Sequence, residues 1–237
     1  MSHSLSSVVG KLLANSISTI DENQNYFFRG RGLLQMMVSH CMSTELVTIS
    51  KEASIQEAFA VMKRHSIRHL PVVDSEGALL GWVTDADLRG VLIASMLEEL
   101  TLEDVMVRKP YIAHPDMLLD EAAHIILEKR IGGMPVIEKG KLVGIITVAD
   151  ILSAFISMMG VFTQSSRLDV QISTPLVSLQ EITRLLQDHG AEIISICNLP
   201  VVEGDEQIYT FRLKKIDLKP ILAELKAKNI WVVSSIS

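Results

Sequence analysis

Residues 81–88, GWVTDADL, return at 144–151 as GIITVADI. The match is not local: at an offset of 64 residues Met42 maps to Met106, Glu57-Ala58 to Glu121-Ala122, Ile67 to Ile131 and Pro71-Val72 to Pro135-Val136. After a one-residue deletion near Gly77 the offset becomes 63 and relates Gly81 to Gly144, Thr84 to Thr147 and Asp87 to Asp150. A period held over a whole unit means a duplicated structural module, which restricts this part of the chain to two like halves. Each half reads as a short strand (LVTIS; PYIAH), an amphipathic helix (SIQEAFAVMKRHS; LLDEAAHIILEKR), two strands (HLPVVD with LLGWVT; GMPVIE with LVGIIT) and a second helix opening at the aspartate. Thr101 with Asp104 is a capping-box pattern that starts a short helix between the halves.

Beyond Gly160 the period is lost. The chain continues as RLDVQIS (strand), SLQEITRLLQDHG (helix), AEIISICNLPVV (strand), EQIYTFRLKKI (strand), DLKPILAELKAKN (helix) and IWVVSSI (strand). That order, βαββαβ, is the ferredoxin-like split unit. The expected fold class is α+β, with two βαββα repeats and a C-terminal ferredoxin-like domain. The expected boundaries are 1–35 for an N-terminal extension, read as the product of an upstream start, a flexible arm or a helix, 36–98 and 99–160 for the repeats, 161–166 for a linker and 167–237 for the last domain.

Composition narrows the function classes. A net charge of −6 argues against nucleic acid as a partner, since its binding proteins carry a basic face. Residues 142–162 are long enough to span a bilayer and carry one charge, Asp150. Yet a lone carboxylate near mid-depth is costly in lipid, and the pattern changes at Thr147 from a β-branched run to helix formers closed by Gly160. Strand, turn and buried helix is the expectation, without membrane association. MSHSLSSVVGKLLANS makes a poor signal peptide, with Lys11 inside its apolar part. Cys41 and Cys197 lack CxxC spacing and read as reduced thiols of a cytoplasmic protein. The histidines form no HExxH or comparable cluster, so no metal site is expected. With no Walker loop, GxSxG or Cys/His pairing, an enzyme would have to work through the repeated Thr and Asp.

The duplicated motifs LPVVD…GWVTDADL and MPVIE…GIITVADI resemble a tandem pair of CBS domains, over roughly residues 38 to 160. The resemblance implies repeats packed as a pseudo-twofold pair through their sheets, with two clefts that bind adenosine-containing nucleotides such as AMP, ADP, ATP or S-adenosylmethionine. In that reading Asp87 and Asp150 accept hydrogen bonds from ribose hydroxyls, and Thr84 and Thr147 help hold ribose or phosphate. The threonine hydroxyl, the carboxylate and the first free helical N–H groups would converge at each strand-to-helix junction. Free backbone groups around Pro71 and around Met134-Pro135 would read the adenine edge. Arg68 and His69 supply positive charge for phosphate where the second repeat has Gly132 and Gly133, so the clefts are not equivalent. Thr48 adds a hydroxyl that its counterpart Ile112 lacks, with Arg130 and Lys109 in reserve. Plainer alternatives stand beside these roles: an aspartate before an apolar helix is an ordinary cap, Arg68 a solvated surface residue and His69 a packed one.

The C-terminal unit resembles an ACT domain, an amino-acid-sensing regulatory module, most closely in LLQDHGAEIISI. Where ACT ligand loops carry Pro-Gly, this chain has STPLVS, with Leu176 at the glycine position. A side chain there fills the space in which backbone would meet an amino acid, so a structural or dimerising role is as good a reading as sensing. A CBS pair followed by an ACT domain is the layout of AcuB-like proteins, which implies a regulator and not a catalyst. The expected function is a non-enzymatic ligand sensor with a nucleotide as regulatory ligand and no required cofactor. The alternatives are a ligand-free dimerisation scaffold and an enzyme acting on the bound nucleotide. LRGVLIASML and ILSAFISMM are apolar nearly all the way round, so a homodimer through these helices is expected.

Overall fold

The first long helix, α1 (Ile55–His65), is started by Ser54, whose hydroxyl accepts from the Glu57 N–H at 3.1 Å while the Glu57 carboxylate accepts from the Ser54 N–H at 2.7 Å. This reciprocal box satisfies two otherwise orphaned donors. The helix buries Ile55, Ala58 and Met62, a stripe at helical spacing. It ends at Ser66 in the left-handed region, and its counterpart α4 (Leu119–Lys129) ends the same way at Arg130.

In this computed structural model residues 36–92, 100–172, 178–199 and 207–237 are described. The N-terminal extension, the second half of LRGVLIASML and the loop with Leu176 lie outside them. The chain divides into two compact units, one within Leu34–Ser153 and one within Ala154–Ser237.

In the first unit β1 (Ile49–Ser50) lies parallel to β2 (His69–Val73), which pairs antiparallel with β3 (Leu79–Thr84). In the second repeat β4 (Gly133–Glu138) pairs antiparallel with β5 (Lys141–Thr147). His69 stands opposite Thr84, and Gly133 opposite Thr147. The strand expected from PYIAH is reduced to one bridge, Ala113 to Val136, because Pro110 and Pro115 bracket the segment and neither has an N–H to donate. LVTIS likewise keeps only its last two residues as strand. The second helices, α2 (Asp85–Val91) and α5 (Val148–Met158), open directly after the threonine, so each aspartate is the third helical residue and not the first.

The segment leading into each repeat packs on the other repeat. Leu119 donates its N–H to the Met36 carbonyl at 2.8 Å, Val38 donates to Met117 at 2.9 Å, and Ser43 bridges to Ile145 of β5. In the duplicated positions Leu102, which opens the short helix α3 (Leu102–Val105), donates to Ala53 at 3.0 Å, and Val107 bridges to Trp82 of β3. Val38 and Leu102 are both fully buried. A Cβ added at Gly81 would collide with Sδ of Met106, and one at Gly144 with Sδ of Met42. Each contact has a counterpart with the repeats exchanged, which is the pattern of a pseudo-twofold pair.

The second unit holds β6 (Ser165–Ile172), α6 (Leu179–Asp188), β7 (Ile193–Leu199), β8 (Gln207–Lys214), α7 (Lys219–Ala227) and β9 (Trp231–Ile236). Its sheet order is β7-β8-β6-β9 with all neighbours antiparallel, the split arrangement expected of βαββαβ. Leu168, Val170, Phe211 and Leu213 from the sheet meet Ile182, Leu186, Ile221 and Leu225 from the two helices in one core. Asp169 points to the opposite face by strand alternation. It is 5% exposed and accepts from Arg167 Nε at 3.0 Å, Thr210 Oγ1 at 2.7 Å and Ser234 Oγ at 2.8 Å, tying β6 to both its neighbours.

Candidate functional site

The two Thr-Asp motifs form the same box at two strand-to-helix junctions. In the first, Thr84 Oγ1 accepts from the Asp87 N–H at 3.2 Å, while Asp87 Oδ2 accepts from the Thr84 N–H at 3.0 Å and from its hydroxyl at 2.7 Å. In the second, the corresponding distances for Thr147 and Asp150 are 3.3, 2.8 and 2.6 Å. Among the described residues the bonds on both carboxylates end on Oδ2, and Oδ1 lies outside the box. Capping is therefore a real role of both motifs, with threonine as the cap residue and aspartate as its reciprocal partner.

The junctions also close onto the preceding strands. The Asp85 N–H donates to the Arg68 carbonyl at 3.0 Å and the Val148 N–H to the Gly132 carbonyl at 3.1 Å. Two of the first three N–H groups of each helix are thus engaged within the fold. This corrects the expectation that the leading N–H groups are free to meet a ligand.

The other candidate residues divide by burial. Pro71 and Pro135 are buried in mid-strand, and the Pro135 carbonyl already accepts from the Ala113 N–H at 2.9 Å. The expectation of free strand-end groups fails there, because the PYIAH segment of the same repeat occupies that carbonyl. Met134 is fully buried, which leaves only its backbone for any ligand contact. Thr48 is exposed just before β1, and Arg68 is exposed beside Lys63, Asp85 and Arg89 in an open groove against α1. Asp85 and Arg89 form a two-pronged ion pair at 2.7 and 3.2 Å. Arg130 serves as the left-handed cap of α4, and Lys109 is exposed.

His69 is half-buried and stacks on Trp82 with ring centroids 5.6 Å apart. Burial pushes its imidazole below the ordinary histidine range, Arg68 acts in the same direction, and the Asp150 and Asp87 carboxylates oppose both. Cys41, read from the sequence only as a reduced thiol, falls within the field of Asp150. Burial pushes its thiol up and Asp150 pushes it further, so the thiol is held protonated. Only the crossing of the leading segments brings Cys41 to the second repeat, and no spacing rule signals that. Among the described residues no group of three His, Cys, Asp or Glu is placed to hold a metal ion, and no helix is long and apolar enough to cross a membrane.

The CBS domain pattern matches residues 38–94 and 102–157. The CBS domain-containing protein YhcV of Bacillus subtilis (strain 168) is 31% identical over 115 residues, covering 48% of this chain and 81% of that protein. The chain belongs to the CBS-domain family. A solved structure of a Vibrio cholerae protein assigned to acetoin utilization (AcuB) matches this CBS pair at 31% identity, covering 54% of this chain and 98% of its own, with a TM-score of 0.51. The L-aspartate semialdehyde sulfurtransferase of Methanocaldococcus jannaschii is 33% identical over 120 residues, but the match spans only 23% of that enzyme.

Proposed function

We propose that this protein is a non-enzymatic regulatory sensor whose CBS pair binds an adenosine-containing nucleotide (AMP, ADP, ATP or S-adenosylmethionine) at the two Thr-Asp junctions. The observation that carries this reading is the duplicated box in which one carboxylate oxygen closes on threonine and the other lies outside it. A cap needs only the first. The second is an acceptor suited to a ribose diol. The nucleotide acts by favouring one arrangement of the protein over another, by no more than its differential affinity for the two. It is an effector and not a cofactor, in a cytoplasmic protein without nucleic-acid or membrane partners. The C-terminal unit serves as an ACT-like structural or dimerising domain.

The reading includes a homodimer. Val148, Leu152, Phe155, Met159 and Phe162 recur at helical spacing along α5 and just past it, and are 39–73% exposed. A stripe of this kind is normally covered by a partner surface. Light scattering should give about twice the 26.2 kDa chain mass; a monomer at micromolar concentration would remove the dimer from the reading. The same stripe favours a second reading, a dimerisation scaffold without ligand.

The deciding experiment is a melting screen against adenine nucleotides and S-adenosylmethionine, followed by calorimetry on Asp87→Ala and Asp150→Ala. A ligand at 100 times its Kd adds about 2.7 kcal/mol of stability. Loss of a charged acceptor costs about 1.5–3 kcal/mol, so each substitution should weaken binding roughly tenfold or more. A screen in which nothing raises the melting temperature leaves the scaffold, and turnover of ATP during incubation makes the protein an enzyme.

A further inference from the structure

Beside the Thr-Asp boxes stands a residue that only one repeat encodes. His69 opens β2 opposite Thr84, yet its ring lies against the second repeat: a Cβ added at Gly132 would collide with Nε2 and lie 2.9 Å from Cε1. Both box carboxylates, Asp87 and Asp150, reach the ring electrostatically. The duplicated position holds Gly133, and a Cβ there would lie 2.8 Å from the Ile146 carbonyl. No second imidazole can be built by symmetry, so one histidine lies at both junctions: it pairs with Thr84 in the sheet, and its ring lies against Gly132, whose carbonyl takes the Val148 N–H.

We propose that His69 couples the two clefts, so that a ligand drawing the imidazole toward one box withdraws it from the other and the clefts fill unequally. This rests on nucleotide binding at the Thr-Asp boxes. A neutral imidazole has one N–H to donate, and that N–H cannot serve a ligand in each cleft at once. The first ligand therefore binds with the ring and the second without it. By linkage the penalty is the same whichever cleft fills first.

The test uses the full chain with AMP as probe. Asp87→Ala and Asp150→Ala each leave one functional box and report the affinity of the other cleft alone. In the unaltered protein the second AMP should bind 5- to 150-fold more weakly than that single-cleft value, the ordinary range of coupling between sites. His69→Ala should bring this factor to about one. Gly132→Ala, which removes no polar group and displaces the ring, should do the same with the fold intact. Two equal sites in the unaltered protein, or a factor that survives both substitutions, overturns the proposal.

A ligand-free measurement separates this from failure of the nucleotide reading. The charged groups acting on the ring are Arg68, Asp150 and Asp87, and a carboxylate favours the charged imidazole. Asp87→Asn and Asp150→Asn should each lower the titration midpoint of His69 followed by NMR. If either leaves it unmoved, the ring is not shared. If both lower it and AMP does not bind, the shared ring stands and nucleotide coupling falls together with the proposed function.

Discussion

Met42 over Gly144 and Met106 over Gly81 are interchangeable contacts, while Arg68-His69 and Gly132-Gly133 occupy duplicated positions and share nothing chemically. The first pair is one contact made twice with the repeats exchanged; the second meets across the repeats once, His69 on Gly132, beside the boxes. A contact made twice must satisfy the same geometry in both copies, so its residues are alike. Residues beside the boxes carry no such double constraint. The difference between the repeats therefore marks where the two halves can do different work on one scaffold.

The most damaging way to test the shared scaffold is to remove its crossed anchors. Leu102→Ala should destabilise the protein by about 2–5 kcal/mol, since a fully buried leucine leaves a cavity. Val38→Ala, at the duplicated position, should cost less because fewer atoms are lost. Denaturant unfolding of both variants decides the matter, and a negligible effect of Leu102→Ala would mean that the crossing adds little to stability.

A finer comparison uses the glycines. Gly81→Ala should cost roughly 1–3 kcal/mol by overpacking, because Met106 is buried and its own Cβ would lie 3.1 Å from the new methyl. Gly144→Ala should cost less. There the nearest atoms belong to the outer part of Met42, a half-buried side chain with room to turn away. Equal losses in thermal melts would show that Met42 is held as firmly as Met106.

The smallest effect separates the two long helices. Ser54→Ala should cost about 1 kcal/mol by removing a side-chain cap, whereas α4 starts at Leu118 without a side-chain cap bond. Hydrogen bonds from the Ser54 backbone and then its hydroxyl hold the Glu57 carboxyl below the usual range. A lowered carboxylate pKa contributes stability that is present above the ordinary value and lost as pH falls through the lowered one. Glu57→Gln should remove that part of the acid limb of a stability–pH curve, with Glu121→Gln as the control in the uncapped helix. Identical curves for the two variants would exclude the cap as its source.

Most elements were legible because the duplication stated each pattern twice. LLGWVT and GMPVIE are strands over those same residues, and the Thr101-Asp104 box starts α3 as expected. The crossing was not legible. A repeat aligns Met42 with Met106 but does not say which copy either one covers, since pairing within a repeat and between repeats leaves the same hydrophobic pattern. The roles of Pro135 and of the first helical N–H groups were misread for another reason: their partners, the Ala113 N–H and the Arg68 and Gly132 carbonyls, are backbone groups of the same repeat, and every sequence supplies those alike. The Thr-Asp boxes could be found by spacing, but the share of the carboxylate taken by capping became visible only in the bond geometry.

The crossed leading segments also bear on how such a pair arises. A single repeat has its own leading segment turned away from it, so it is closed only when a second copy lends the missing piece and takes one in return. Separate copies would make that trade at a rate and extent set by how much protein is present. Joining them in one chain replaces that dependence with an effective concentration on the order of millimolar, and the closed pair then persists however dilute the protein becomes.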